Sequence, residues 1–367
     1  MLIVLLILVL FLIVGLFIVL RVHPVFGGRM SEKNKRDYSL SKQWKNNQFE
    51  YTEPTDLSLA FWKIPGIIYK QFTGLAGRKP SRSIDALKPK WTVSGQKDAA
   101  AKLLWYGHSA FLMEKSGKTI LIDPMFGQVP APHPSLGNTR FNPEMPIDPE
   151  DLPQIDILIM SHDHYDHLDY ESIQKIKNKV DRFIMPLGMK RHFLRWGIPE
   201  QRLTEMDWWE ATGIDGLQLV CTPARHFSGR SMGDRCLSLW CSWVIQGDHE
   251  NIFYSGDSGY GPHFKEIGQQ YGPFDFAMLE CGQYYKDWSL IHMLPEEAAQ
   301  VAVELRAKTA MPIHWGAFTL AFHSWTEPVE RFLKKAKELN VQTCTPRIGE
   351  VFTIGENYPS SHWWKEY

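Results

Sequence analysis

From residue 101 onward, short apolar runs alternate with turns rich in Gly, Pro or charge, and each run has the length of a strand. Residues 101–106, 110–114 and 118–123 predict three successive strands, and residues 155–160 predict a fourth. Further strands are predicted over 182–186, 217–223, 237–245, 251–254, 274–280 and 310–313. Between them, apolar positions at wider spacing predict helices over 170–180, 189–196, 295–308 and 327–339, the third with Pro295 in its first turn. Residues 127–154 carry Pro130, Pro132, Pro134, Pro143, Pro146, Pro149 and Pro153, which predicts a long ordered loop. Strands, then a helix, then strands and helices again imply two β-rich halves with helices outside, an α+β layered arrangement.

The pattern before residue 98 is different. Residues 1–20 hold only apolar side chains and one Gly. Such a helix rises ~30 Å, the thickness of a hydrocarbon core, which predicts an N-terminal transmembrane helix. No Lys or Arg precedes the run and no A-x-A pattern follows it, so an uncleaved anchor is expected rather than a signal peptide. Arg21, Arg29, Lys33, Lys35 and Arg36 follow, which places the rest of the chain on the cytoplasmic side of a membrane. Three regions result: an anchor over 1–20, a juxtamembrane extension over 21–97 and a main domain over 98–367. Within the extension, residues 57–72 are the most apolar, and either lie on a bilayer or pack on the main domain.

Composition narrows the field. The formal net charge of −1 gives no basic field of the kind nucleic-acid binders show. The five Cys include no CxxC pair and are odd in number, which argues against a disulfide framework and a structural zinc knuckle.

The candidate chemistry sits at strand ends. Ser161-His162-Asp163-His164-Tyr165-Asp166-His167 directly follows the strand at 155–160. A helix would scatter His162 and His164 around its circumference, whereas a tight loop can aim them at one place. Imidazole nitrogen and carboxylate oxygen are ligands of zinc and similar metals. Three further strands deliver His226, Asp257 and His314, each beside Gly, Ser or Pro. Two metals need about seven protein ligands when water fills the rest. The natural partition puts His162, His164 and His226 on one metal and Asp166, His167 and His314 on the other, with Asp257 bridging. Two cations ~3.5–4 Å apart can acidify a water and stabilise an oxyanion.

The His162–His167 stretch carries the HxHxDH signature of the metallo-β-lactamase superfamily. With Trp105-Tyr106-Gly107-His108-Ser109, Thr222-Pro223-Ala224-Arg225-His226, Ser255-Gly256-Asp257-Ser258-Gly259, His292-Met293-Leu294-Pro295-Glu296-Glu297 and Ile313-His314-Trp315-Gly316, residues 100–355 resemble the N-acyl-phosphatidylethanolamine-hydrolysing phospholipase D branch. The resemblance implies a four-layer αββα sandwich with two Zn²⁺ (iron or manganese being alternatives) at one edge. It implies hydrolysis of a membrane phospholipid to an N-acylethanolamine and phosphatidic acid. By motif position it places His292 beside the substrate phosphate, with Asp166 also handling a proton. His108 and Asp123 match positions near the metal pocket, and Asp123 would orient a metal-bound His. Residues 279–285, Leu-Glu-Cys-Gly-Gln-Tyr-Tyr, depart from the branch's more apolar segment just before His292, where substrate choice is set. The same fold and metals on a soluble ester, lactone or phosphodiester form the alternative. A membrane-tethered binding protein with a vestigial site is a third.

Overall fold

The computed structural model describes every residue except 1, 54, 56–63, 74–75, 98, 232 and 357. The chain opens with helix α1 (Leu2–Val22), then α2 (Glu32–Tyr38), the ribbon strands β1 (Trp44–Lys45) and β2 (Gln48–Phe49), and α3 (Ile64–Thr73). Among the described residues no helix is long and apolar enough to cross a membrane. The spanning helix expected over 1–20, and the membrane-anchored, cytoplasm-facing placement that rested on it, are therefore corrected. A helix does form there, as α1, but no helix among the described residues meets the length and apolarity that a hydrocarbon core requires. The chain beyond it is fastened to the main domain. Arg195 donates to the carbonyl of Val22 at 2.6 Å, Trp196 Nε1 to Pro24 O at 2.8 Å, and Arg230 to Val25 O at 2.9 Å. Of the apolar stretch expected over 57–72, the part over 57–63 lies outside the described residues. The remainder lies in α3, where Lys70 Nζ donates to Tyr285 Oη of the main domain at 2.6 Å.

The main domain is two seven-stranded sheets. The first holds β3 (Lys102–Trp105), β4 (Phe111–Lys115), β5 (Lys118–Ile122), β6 (Ile155–Ile159), β7 (Val180–Pro186) and β8 (Leu203–Met206). The second holds β9 (Ala211–Ile214), β10 (Leu217–Thr222), β11 (Ser242–Gln246), β12 (Asn251–Tyr254), β13 (Phe276–Glu280), β14 (Thr309–Ile313) and β15 (Gln342–Thr343). The chain then returns to the first sheet as β16 (Val351–Thr353), antiparallel to β3. β5 to β8 run parallel, and so do β12 to β15. Helices α4 (Tyr170–Ile176) and α5 (Lys190–Arg195) cover the first sheet, while α6 (His263–Tyr271), α7 (Pro295–Glu304) and α8 (Glu327–Glu338) cover the second.

Period-two alternation explains the layers. Leu103, Trp105, Ile120, Ile122, Ile157 and Ile159 face the second sheet in one core. Their neighbours Leu104, Leu121, Leu158 and Met160 face outward, packing with Ile173 and Ile176 of α4 and Phe193 of α5 in another. Both faces are buried, so these strands read as continuous apolar runs rather than as alternating ones. The helix expected over 170–180 stops at Ile176, because Val180 already pairs with Ile155 in the sheet. The strand expected over 237–245 begins only at Ser242. Before it, Leu239 N–H donates to Leu187 O and Cys241 N–H to Ser161 O, so the backbone serves a neighbouring loop instead of a ladder. β8, β9 and α6 carried no such apolar run.

Candidate metal centre

The parallel strands of both sheets end at one edge, the place where sheets of this kind build sites. β5 leads into Asp123, β6 into the loop of Ser161 to His167, β12 into the turn holding Asp257 and β14 into His314, while β13 ends in Glu280. β10 leads to His226. The loop after β6 is closed by Asp169, whose side chain accepts from Ser172 N–H at 2.9 Å and caps α4. Its base is pinned by Asp163, a fully buried carboxylate that accepts from Gly229 N–H (2.7 Å), Ser238 Oγ (2.7 Å) and His192 Nε2 (3.2 Å). Arg230 donates to Asp163 O and Leu168 O on either side of the loop.

The sequence-predicted residues come together in two groups. His164 Nδ1 lies 3.0 Å from His162 Nε2 and 3.1 Å from His226 Nε2, so three ring nitrogens converge. Asp166, His167, His314 and His108 form the second group. Asp257 stands between them. Its Oδ2 is 3.8 Å from His162 Nε2 and from His226 Nε2, and its Oδ1 is 3.1 Å from His167 Nε2 and from His314 Nδ1. One carboxylate therefore turns one oxygen to each group.

Hydrogen bonds outside the ring nitrogens set which atoms face inward. His167 Nδ1 donates to Asp123 Oδ2 at 2.7 Å, and His226 Nδ1 to Ile291 O at 2.9 Å, which leaves Nε2 of each for a ligand. Asp123 is itself held by Ser161 N–H (2.7 Å) and Tyr254 Oη (2.6 Å). His108 Nε2 lies 2.9 Å from Asp166 Oδ2 and positions that carboxylate. Its backbone pairs across the edge, His314 N–H donating to His108 O and His108 N–H to Trp315 O. His292 sits edge-on to His226, with ring centroids 5.0 Å apart, and stacks on His314 at 5.4 Å. Its Nδ1 is bonded to Glu280 Oε1.

The electrostatics suit a cation. Burial, reinforced by the neighbouring imidazoles, holds His162 and His226 well below the ordinary range, so both are neutral donors of a lone pair. Burial does the same to His314 and, less strongly, to His164. Burial works against ionisation of Asp257 and Asp166, but the histidines beside them win and hold both carboxylates ionised. Burial likewise opposes a proton on His167, yet Asp257, Asp166 and Asp123 outweigh it, so the site favours positive charge at that ring. Among the described residues, the buried atoms without a hydrogen-bond partner include His164 Nε2, His167 Nε2, His314 Nε2, Asp257 Oδ1 and His108 Nδ1. An orphaned buried polar atom costs about 1–3 kcal/mol. Of these atoms, His167 Nε2, His314 Nε2 and Asp257 Oδ1 belong to residues gathered around the second group, and a divalent metal there fits such donors.

A family profile described as "Beta-lactamase superfamily domain" matches residues 118–315. The chain belongs to the metallo-β-lactamase superfamily. It is 38% identical over 265 residues to an uncharacterised protein of Mycobacterium tuberculosis, covering 71% of each chain. It is 32% identical over 269 residues to N-acyl-phosphatidylethanolamine-hydrolyzing phospholipase D 1 of Caenorhabditis elegans, covering 69% of this chain and 75% of the worm protein. A solved metallo hydrolase from Ignicoccus hospitalis shares the fold, with a TM-score of 0.54 at 21% identity, covering 70% of this chain and 100% of that one. This metallo-β-lactamase fold protein is thus a metal-dependent hydrolase whose His/Asp clusters can hold divalent metal. The sequence had not pointed to Tyr254 or His192, and it marked Glu280 only as one of residues 279–285. Tyr254 and Glu280 are the last residues of β12 and β13, which was the available signal. Nothing in the pattern marked His192, which acts from a helix on the far side of the loop.

Proposed function

We propose that this hydrolase is a two-metal phosphodiesterase of the phospholipase D type that cleaves N-acyl-phosphatidylethanolamine. The observation that carries the two-metal reading is Asp257, with one oxygen toward His162 and His226 and the other toward His167 and His314. His162 Nε2, His164 Nδ1 and His226 Nε2 would hold one zinc ion, and Asp166, His167 and His314 the other. Iron or manganese suits the same donors. Metal bound there supplies an acidified water and charge to neutralise the phosphoryl oxygens. The chain's own part is positioning and proton transfer. Asp166 accepts a proton while His108 fixes its orientation. His292, outside both groups but against each, meets the phosphate and gives a proton to the leaving alkoxide.

The choice of a phospholipid rests on the likeness to the worm phospholipase and on an aromatic cluster drawn partly from the segment that precedes His292. Tyr285, Trp288 and Phe322 pack ring against ring, and Lys70 of α3 lies over Tyr285 and Phe322. Apolar rings beside a cation match an acyl chain beside a phosphate. The test is lipid mass spectrometry on membranes incubated with zinc-loaded protein and with Asp257→Asn. The expected result is N-acylethanolamine and phosphatidic acid in equal amounts from the wild type and neither from the variant. Hydrolysis of bis(p-nitrophenyl) phosphate without release of either lipid product would leave a phosphodiesterase of a soluble substrate and refute the lipid assignment.

A further inference from the structure

Glu280 closes β13, a strand buried along its whole length, and its side chain has no exposure. In register it lies beside Ile313, the residue before His314. Among the described residues its ion-pair partner is His292. One oxygen, Oε1, takes Nδ1 of His292, and the other, Oε2, accepts from the N–H of Ser258, the residue after Asp257. A carboxylate removed from water carries a large desolvation penalty, and hydrophobic side chains fill the rest of this strand. The fold would pack a Leu here at no such penalty. What Glu280 supplies that a Leu could not is an acceptor for one particular ring nitrogen.

We infer that Glu280 is the positioning residue for His292, holding Nδ1 so that Nε2 is the nitrogen presented to substrate. The inference rests on the phosphodiesterase reading, in which His292 touches the phosphate. His292 keeps 13% of its side chain exposed, with His226 on its edge and His314 on its face, so the ring has its plane set by neighbours and its rotation set by Glu280. One of its ring nitrogens lies within 4.8 Å of ligand atoms of both His226 and Asp257. Glu280 thereby ties the orientation of the proton-transferring ring to the loop that carries the bridging carboxylate.

The amide of Glu280→Gln cannot reproduce this. The backbone N–H of Ser258 is an obligate donor, so the amide oxygen must stay on its side. The amide NH₂ then faces His292 Nδ1, which becomes an acceptor, so giving up the proton on Nε2 would leave an imidazolate rather than the neutral ring whose Nδ1–H a carboxylate holds. The experiment compares zinc-loaded wild type, Glu280→Gln, His292→Gln and the double variant on N-acyl-phosphatidylethanolamine micelles and on bis(p-nitrophenyl) phosphate, with metal content measured for each. Glu280→Gln should keep both metals, hold KM within about threefold and lose about 10²-fold in kcat, the usual worth of a placed proton-transfer group. In the His292→Gln background it should lose nothing further. An equal loss in both backgrounds, or loss of metal, overturns the inference. Turnover of the diester alone would sink the lipid reading and leave this test intact. Should neither substrate turn over, the proton spectrum decides. A downfield Nδ1–H resonance that vanishes in both His292→Gln and Glu280→Gln is expected, and its persistence in Glu280→Gln overturns the inference.

Discussion

Asp123→Asn isolates how the second metal group is held. Asp123 is fully buried and receives four donors: Ser161 N–H on Oδ1, and Ser161 Oγ, Tyr254 Oη and His167 Nδ1 on Oδ2. The residue has φ 40°, a region Asn tolerates well, so the substitution leaves the backbone undisturbed. The amide then has two ways to sit. With NH₂ toward Ser161, two N–H groups oppose each other and a buried donor goes unsatisfied, a loss of about 1–3 kcal/mol in stability. With NH₂ toward Oδ2's partners, the hydroxyls can rotate, but His167 must accept at Nδ1. That places its proton on Nε2, the nitrogen needed for metal. Losses of this kind run about 10–100-fold in metal affinity, or roughly 1.4–2.7 kcal/mol. Competition against a chromogenic chelator, with urea unfolding of the metal-free protein alongside, distinguishes the two. Tyr254→Phe serves as control, since it removes one donor and leaves the carboxylate, and its metal affinity should stay within about threefold. If Asp123→Asn binds two metals within twofold of wild type and unfolds at the same urea concentration, the orienting role of Asp123 is wrong.

Other outcomes follow from the same coordinates. A Cβ on Gly282 would lie 1.9 Å from His314 O, so Gly282→Ala must displace the backbone of His314. Overpacking of this sort costs about 1–3 kcal/mol, and metal analysis should show one equivalent retained rather than two. His314→Ala should likewise retain one equivalent and lose most turnover, and near wild-type turnover at full metal would contradict the two-metal reading. His263 is held down to about 3 by burial, with Arg225 adding to the effect. The folded ring stays neutral while the unfolded ring takes a proton near its ordinary value, so its stability contribution is complete above about pH 6.5 and is lost as pH falls toward 3. In chelator-treated protein, His263→Gln should flatten the decline in unfolding free energy between pH 6 and 4 by up to ~1.4 kcal/mol per pH unit, and an unchanged slope would show that His263 is not buried neutral.

The pattern of apolar runs carried the central strands well, because β5, β6, β12, β13 and β14 are buried on both faces and leave little else for their sequences to do. It missed β8 and β9, short strands with exposed Thr204 and Ala211 and no continuous apolar run. It missed α6 because Gly268 sits inside it. That glycine lets the helix approach Glu304 and Leu305 at the end of α7, where a Cβ would meet Glu304 O at 2.1 Å. Residues 1–20 misled in the other direction: apolar length was read as a bilayer span, and no described helix meets that requirement. The candidate ligands were legible because each follows a strand, and the fold gathers them into clusters that could hold metal. Their supports were not, since Tyr254, His192 and Arg230 are ordinary residues until the fold brings them under the loop. Residues 279–285 bear on substrate choice in the sequence reading, and within them Glu280 contacts His292 Nδ1, a pairing that the pattern alone did not show.

The ligand groups draw on both sheets, and the last of them to be made is His314. During synthesis the loop of His162, His164 and His167 emerges long before Asp257, and Asp257 before His314. A nascent chain that has completed only the first sheet carries an open, histidine-rich loop with no bridging carboxylate to close it. The strand that returns to the first sheet beside β3, over Val351–Thr353, comes later still. In the two-metal reading, full metal loading therefore requires a chain made at least through His314, and a product truncated before it would be distinguished by the metal it fails to keep.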